Sequence, residues 1–362
     1  MFDLFNSAFS KYITISILSS FFLLLSGTSF VQACTRVVYL GIDDNIITAR
    51  SMDWKEDVGT NLWIFPRGIK NNGHAGPNSI NWVSKYGSVI ASGYDISTTD
   101  GVNEAGLDVN LLWLAESEYP TLEKNIKPTL SLSMWAQYVL DNYATVDEAV
   151  KELKKEPFIV ITDSVPGQNR LATLHLSMSD KTGDSAIVEY INGQQIIHHG
   201  RQYQVVTNSP TFDKQLALES YWQQIGGTIM LPGTNRASDR FARATFYINA
   251  VPKTTDIKEA LASTFSVIRN VSVPYGLNTE EEPNISSTRW RTVFDHKRGL
   301  YFFESAISPN IFWVNLKTID FSQESGQIKK LDLGPNQTNI YSGDATSKFI
   351  TSKPMTFLAT KK

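Results

Sequence analysis

The run Ser29-Phe30-Val31-Gln32-Ala33-Cys34-Thr35-Arg36 holds the single cysteine of this 362-residue chain, directly behind a leader-like segment. Asp3 and Lys11 are the only charges before it, and 13–25 is an apolar run broken by Thr14, Ser16, Ser19 and Ser20. That run falls short of the roughly 20 apolar residues a stable membrane span needs and leads into small residues, the pattern of a processed secretory leader. Val31 and Ala33 suit the positions three places and one place before a leader-peptidase cut. We therefore expect residues 1–33 to be removed and Cys34 to open a secreted, periplasmic protein. A cysteine in that place carries a thiol and a free α-amine on one residue, a nucleophile with its own general base. The same run half matches a lipoprotein signal, with Ala33 in favour and Gln32 against. On the leader alone, an acylated and tethered Cys34 stays open.

Residues 34–362 are enough for a large single domain with a real core. Hydrophobic content is 42% and aromatic content 11%, as in globular proteins, and the net charge is −3. No basic block with interleaved aromatics appears, which speaks against nucleic acid as a partner. No second apolar span follows the leader, so no integral membrane segment is expected after processing. One cysteine allows no internal disulfide in an oxidising compartment.

Short β-branched and aromatic runs at 35–40, 46–49 and 62–65, split by turn residues, read as a meander that continues at 88–93 and 107–114. Asp100-Gly101 and Asn103-Glu104-Ala105-Gly106 read as turns between the last two. A helix is expected from Ser131 through Met134, Trp135, Tyr138 and Val139, and another after Thr145, with Glu148 completing a capping box. Strands resume at 158–162, 171–177, 186–191, 194–199 and 203–207, with Asn192-Gly193 as a two-residue hairpin turn. Helical patterning returns at 238–250, opened by Ser238, and at 255–269, before a last meander at 289–295, 300–304 and 312–316. Strands, helices, strands and helices in blocks imply layered α+β architecture rather than alternating βαβ units. No linker divides residues 34–362, which read as one domain. The polar tail from 323 turns apolar at Phe349-Ile350 and again at 355–358, which fits an edge strand or an inter-subunit arm.

HExxH, paired cysteines, GxxxxGK[ST] and GxGxxG are all missing, so the reading names no metal and no cofactor. His198 and His199 are adjacent on an expected strand and face opposite ways. Four polar positions stand out beside Cys34. Arg50 and Asp53 lie three apart at the end of a strand, where both reach one pocket only if the chain turns. Asn208 sits where a strand breaks into Asn208-Ser209-Pro210, with an amide able to donate to an oxyanion. Arg240 lies in the first turn of a helix, where a cation opposes the dipole. Taken singly, each has a plainer reading as a surface pair, a turn or a helix residue.

Together and in this order, Cys34-Thr35-Arg36, Ala49-Arg50-Ser51-Met52-Asp53-Trp54, Phe65-Pro66-Arg67-Gly68, Asp100-Gly101-Val102-Asn103-Glu104-Ala105-Gly106-Leu107, Val165-Pro166-Gly167, Thr207-Asn208-Ser209-Pro210-Thr211-Phe212 and Leu231-Pro232-Gly233 leading to Ser238-Asp239-Arg240-Phe241 resemble the choloylglycine hydrolase family. That family is the penicillin V acylase and bile salt hydrolase branch of the N-terminal nucleophile hydrolases. The resemblance implies a four-layer αββα sandwich, two antiparallel sheets between helical layers. It implies catalytic roles for Cys34, Arg50, Asp53, Asn208 and Arg240, with Trp113 lending a backbone amide to the oxyanion hole.

The chemistry implied is hydrolysis of a linear amide through a thioester on Cys34, with a small-molecule acyl amide as partner. The Ser51-Met52-Asp53-Trp54 segment resembles the Gram-negative branch, which favours penicillin V-like or long-chain N-acyl amides, including N-acyl homoserine lactones. Trp54 and Trp113 are expected to wall the acyl pocket. Conjugated bile salts are the alternative substrate, disfavoured because Trp113 stands where a small polar residue is expected. A lipidated, non-catalytic binding protein is the alternative of another class. A homo-oligomer, a tetramer by the resemblance, is also expected.

Overall fold

The computed structural model describes residues 34–122, 127–279, 285–324, 326–334 and 338–360, so the expected leader at 1–33 lies outside the described residues. Two sheets carry the domain. The first runs Val205–Val206, Thr35–Leu40, Ile46–Trp54, Ser287–Asp295, Leu300–Ser305, Ile311–Asn315 and Gly343–Asp344. The second runs Gln194–His199, Ser185–Ile191, Leu174–Ser179, Asp108–Trp113, Ser97–Asn103, Ser88–Gly93, Leu62–Phe65, Lys329–Leu331 and Ile350–Thr351. Within these two sheets every pairing is antiparallel except Ile311–Asn315 with Gly343–Asp344.

Period-2 alternation sorts side chains into layers. In the second sheet Trp63, Phe65, Ile90, Val109, Leu111, Leu176 and Met178 join one core with the helices Leu132–Asn142 and Val146–Leu153. Their strand neighbours Leu62, Ile64, Val89, Ala91 and Leu112 turn the other way, into the core between the sheets. That core reaches Phe241, Ala244 and Ile268 of the helices Ala237–Ala250 and Ile257–Asn270, which cover the first sheet. The layers are therefore helix, sheet, sheet, helix, as expected. Among the described residues no helix is long and apolar enough to cross a membrane.

Local expectations hold where a specific side-chain bond enforces them. Thr145 Oγ1 accepts from Glu148 N–H at 3.2 Å and Glu148 reaches back to Ala144 N–H at 2.8 Å, closing the cap. Asn192 and Gly193 take φ of 52° and 75°, the left-handed pair a tight hairpin needs. Asp100-Gly101 departs from expectation, lying mid-strand rather than in a turn. The buried Asp100 accepts from Asn110 and Tyr301 across both sheets, and a Cβ on Gly101 would meet Ile90 Cγ2 at 2.6 Å. Tertiary contact, not turn propensity, selects both residues.

The helix Phe212–Ile225 was not expected. It fully buries only Phe212, Gln215 and Glu219, too thin an apolar stripe for periodicity to register. The helix read from Ser238 is capped from Arg236 with no side-chain bond, and the helix read from 255 starts at Ile257 with Asp256 as its cap. The segments read at 158–162 and 203–207 shrink to Ile159–Ile161 and Val205–Val206, and that read from 171 starts at Leu174.

Candidate active site

The second strand does not end at Ala49. It runs on to Trp54 and stays extended, so Arg50 and Asp53 leave on opposite faces. The expectation that the chain must turn for both to reach one site is therefore corrected. Cys34 sits just before the first strand, whose register sets Thr35 opposite Ser51 and Arg36 opposite Arg50. At the end of the ladder its thiol meets one face while its backbone meets the other. Sγ lies 3.9 Å from Arg50 Nη2, 3.9 Å from Met52 Sδ and 3.8 Å from the Asp53 carbonyl. The residue is buried, 3% exposed.

On the inter-sheet face, Arg50 Nη2 donates to Leu111 O at 3.0 Å, and its guanidinium carbon lies 4.6 Å from the Trp290 ring centroid. Nε and Nη1 have no hydrogen-bond partner among the described residues, so a buried cation is left with donors to spare. On the helix face, Asp53 accepts from Ser51 Oγ at 3.2 Å and from Thr288 Oγ1, with Arg240 Nη1 at 3.9 Å. Burial raises its carboxyl to about 6, against Arg240, Thr288, Ser51 and Arg50, which pull it down.

Arg240, fully buried, explains its unfavourable place at a helix start. Nη1 donates to the Cys34 carbonyl at 2.8 Å and to Thr35 Oγ1, and Nη2 to Asn208 Oδ1 at 3.0 Å. Because Oδ1 is held by a cation, the Asn208 amide must present Nδ2 the other way, where it donates to the Trp113 carbonyl at 2.8 Å. The Asp108–Trp113 strand outruns its neighbour, whose pairing stops at Asp100 opposite Asn110. Beyond that point Arg50 takes the Leu111 carbonyl and Asn208 takes that of Trp113. Leu114 N–H donates to Thr173, so alternation turns the amide of Trp113 away from that strand, toward the side of Asn208.

Burial pushes the Cys34 thiol up from its usual value. Arg50 pulls it back, Asp53 raises it again, and the Asp53 backbone and Arg240 lower it. Arg50 thus favours the thiolate, but desolvation outweighs it. A base must therefore take the proton as the sulfur attacks.

The thiol opens into a cavity lined by Trp54, Trp113, Leu111, Val165, Pro166 and Leu174, among others. The two indoles meet at 5.6 Å and 53°, and Trp54 Nε1 donates to Tyr94 OH at 2.7 Å. The guanidinium carbon of Arg170 lies 4.3 Å from the Trp113 centroid and 5.6 Å from that of Trp54. Cys34, Arg50, Asp53, Asn208, Arg240 and Trp113 thus come together, and Trp54 joins them at the cavity.

Several neighbours were not legible in the sequence. His175 is fully buried behind Asn208: Nε2 donates to Thr207 O at 2.9 Å and Nδ1 lies 3.2 Å from Glu189 Oε1. Burial raises Glu189, but His175, His198 and the Phe212 N–H bring it down to about 2. Gln215 donates to the Asn208 carbonyl and accepts from Thr207 Oγ1. Thr288 and Arg170 are far along the chain from what they hold, and Gln215, only seven residues from Asn208, lies on the helix that periodicity did not register.

The family model for linear amide C–N hydrolases, choloylglycine hydrolase family, matches residues 34–330. A penicillin V acylase of Pectobacterium atrosepticum is 59% identical over 351 residues, 91% of this chain and 93% of that protein. The structure of penicillin V acylase from Agrobacterium tumefaciens is similar with a TM-score of 0.84 and 66% identity, covering 90% of this chain and 100% of that one. A mutant of the conjugated bile acid hydrolase from Clostridium perfringens shares the fold at a TM-score of 0.71 and 21% identity, over 85% of this chain and 99% of that one.

Proposed function

We propose, from the premise that the chain belongs to the choloylglycine hydrolase family of linear amide C–N hydrolases, that Cys34 is its nucleophile once the Ala33–Cys34 bond is cut. The observation that carries this is the convergence on one sulfur of a cavity, the unsated guanidinium of Arg50, and Arg240 bridging the Cys34 carbonyl to Asn208.

In this proposal the free α-amine of Cys34 takes the thiol proton as sulfur bonds to the substrate carbonyl carbon. The carbonyl electron pair moves to oxygen, where Asn208 Nδ2 and the Trp113 amide receive the oxyanion, each worth about 3 kcal/mol. An ordinary α-amine, with a pKa of about 8, is mostly protonated at neutral pH, and nearby guanidinium groups disfavour that charged form. Asp53 holds the amine by hydrogen bonding. Collapse expels the substrate nitrogen, which takes the proton from the ammonium and leaves a thioester. Water then adds with the same amine as base, and the acid departs as the thiol is restored.

For the substrate we propose a penicillin V-like or long-chain N-acyl amide, N-acyl homoserine lactones included. The indole walls of Trp54 and Trp113 suit a phenoxy ring or an alkyl chain. The relative named penicillin V acylase is 59% identical, whereas the conjugated bile acid hydrolase is 21% identical. We further propose export with removal of 1–33, and a homotetramer.

The test is amine release from penicillin V and from an N-acyl homoserine lactone by protein whose intact mass begins at Cys34. Release is expected. None from a folded, correctly processed sample overturns the reading, and a lipid adduct on Cys34 favours the tethered binding protein instead.

A further inference from the structure

We infer that the C-terminal segment 355–360 is a wall of the substrate cavity and that Leu358 sets how long an acyl group it accepts; the acyl assignment rests on the proposed function. This segment lies beyond residues 34–330, the span the family model matches. Two backbone bonds strap down its C-terminal half, and burial along it alternates, with Met355 and Phe357 in and Thr356 out. Leu358 N–H donates to Ile96 O at 2.9 Å, and Thr360 N–H to His74 O at 2.9 Å.

Extended chain alternates its side chains, and here the alternation has two different destinations. Met355 and Phe357 are buried in the core under the helix Leu132–Asn142, Phe357 packing on Phe65 with ring centroids 6.3 Å apart. Leu358, next in line, must turn away from that core, and it lines the cavity that also contains Cys34. Its carbonyl is gripped at the N-terminus of that helix, accepting from Ser131 Oγ at 2.9 Å and Ser133 Oγ at 2.8 Å. Ile96, Ser97, Ser131, Leu132 and Ser133 line the same wall. None of these comes from the strands that carry Cys34 and Arg50, so the wall can change without moving the sulfur.

The Ser131 and Ser133 hydroxyls on this wall donate to the strap and that of Ser97 to the Ser133 carbonyl, leaving Leu358, Leu132 and Ile96 as its apolar surface. Removing the Leu358 side chain therefore lengthens an apolar slot, and enlarging it shortens the slot. Discrimination by one methylene in an apolar pocket is about 10–200-fold, so the change is measurable.

The experiment measures kcat/KM across N-acyl homoserine lactones from hexanoyl to dodecanoyl for the processed wild type, Leu358→Ala and Leu358→Trp. Dissociation constants for the same series are read in a Cys34→Ser background, so chain-length preference is seen even without turnover. Leu358→Ala is expected to raise the dodecanoyl-to-hexanoyl ratio about tenfold and Leu358→Trp to lower it. A ratio unchanged in both variants, each melting cooperatively, overturns the inference. Loss of amine release in the wild type, with the binding ratios still shifting as expected, would count against the proposed function and not against the strap.

Discussion

The two sides of the cavity are built on different principles. The side around Cys34 comes from paired strands and one buried helix turn, and its polar atoms are fastened to one another: Arg240 to Cys34 and Asn208, Asn208 to Trp113, Asp53 to Ser51 and Thr288. The opposite side comes from loop 163–172, the turn at 93–97 and the strap at 355–360; Asp163 is the charged residue in its lining, and the Arg170 guanidinium packs over the two indoles. A ladder register cannot slip by one residue without inverting every side chain, so it suits chemistry that needs fixed distances. Loops and a tail tolerate substitution, so they suit selection among substrates.

The comparison breaks most sharply at Cys34. Cys34→Ser should cut kcat by about 10⁴-fold or more with the melting temperature little changed, since one atom is exchanged in a buried site. Wild-type-like turnover in that variant removes the sulfur from the chemistry.

Asn208→Ala comes next, with an expected fall in kcat of about 10²–10³-fold and little change in KM. A rise in KM at constant kcat would move Asn208 to substrate binding.

Asp53 adds a pH test. With its carboxyl at about 6, activity should fall as pH drops through that value, because the neutral acid no longer holds the amine as an anion. Asp53→Asn should lower activity and abolish that limb. Stability should move the other way: between its ordinary 3.8 and about 6 the folded state binds more protons at Asp53 than the unfolded chain, so this residue's contribution to folding improves as pH falls. A limb that persists in Asp53→Asn assigns it elsewhere.

The smallest effect belongs to the loop side. Arg170→Ala removes the guanidinium from the Trp113 and Trp54 rings, an interaction worth about 1 kcal/mol, and should raise KM a few-fold with kcat preserved. An equal loss in kcat would join Arg170 to the chemistry and erase the contrast.

Cys34 and its motif partners were legible because each occupies a short stretch whose order along the chain is informative. The layers were legible because alternation and helical stripes record burial on one face. Asp100-Gly101 misled for a physical reason: turn propensity is a local preference, and a carboxylate shared by Asn110 and Tyr301 outbids it. Phe212–Ile225 was silent because Gln215 and Glu219 take inward positions that a hydrophobic pattern assigns to apolar residues.

What the chain itself determined was the family, the block order of strands and helices and the candidate for the reacting group, since these depend on residue type and near-neighbour spacing. Tertiary structure alone decided that Arg50 and Asp53 serve opposite faces of one strand, that Arg240 ties Cys34 to Asn208, and that Leu358 reaches the cavity. Those contacts join residues tens to hundreds of positions apart, and only the packing of two sheets and the path of the tail bring them within bonding distance.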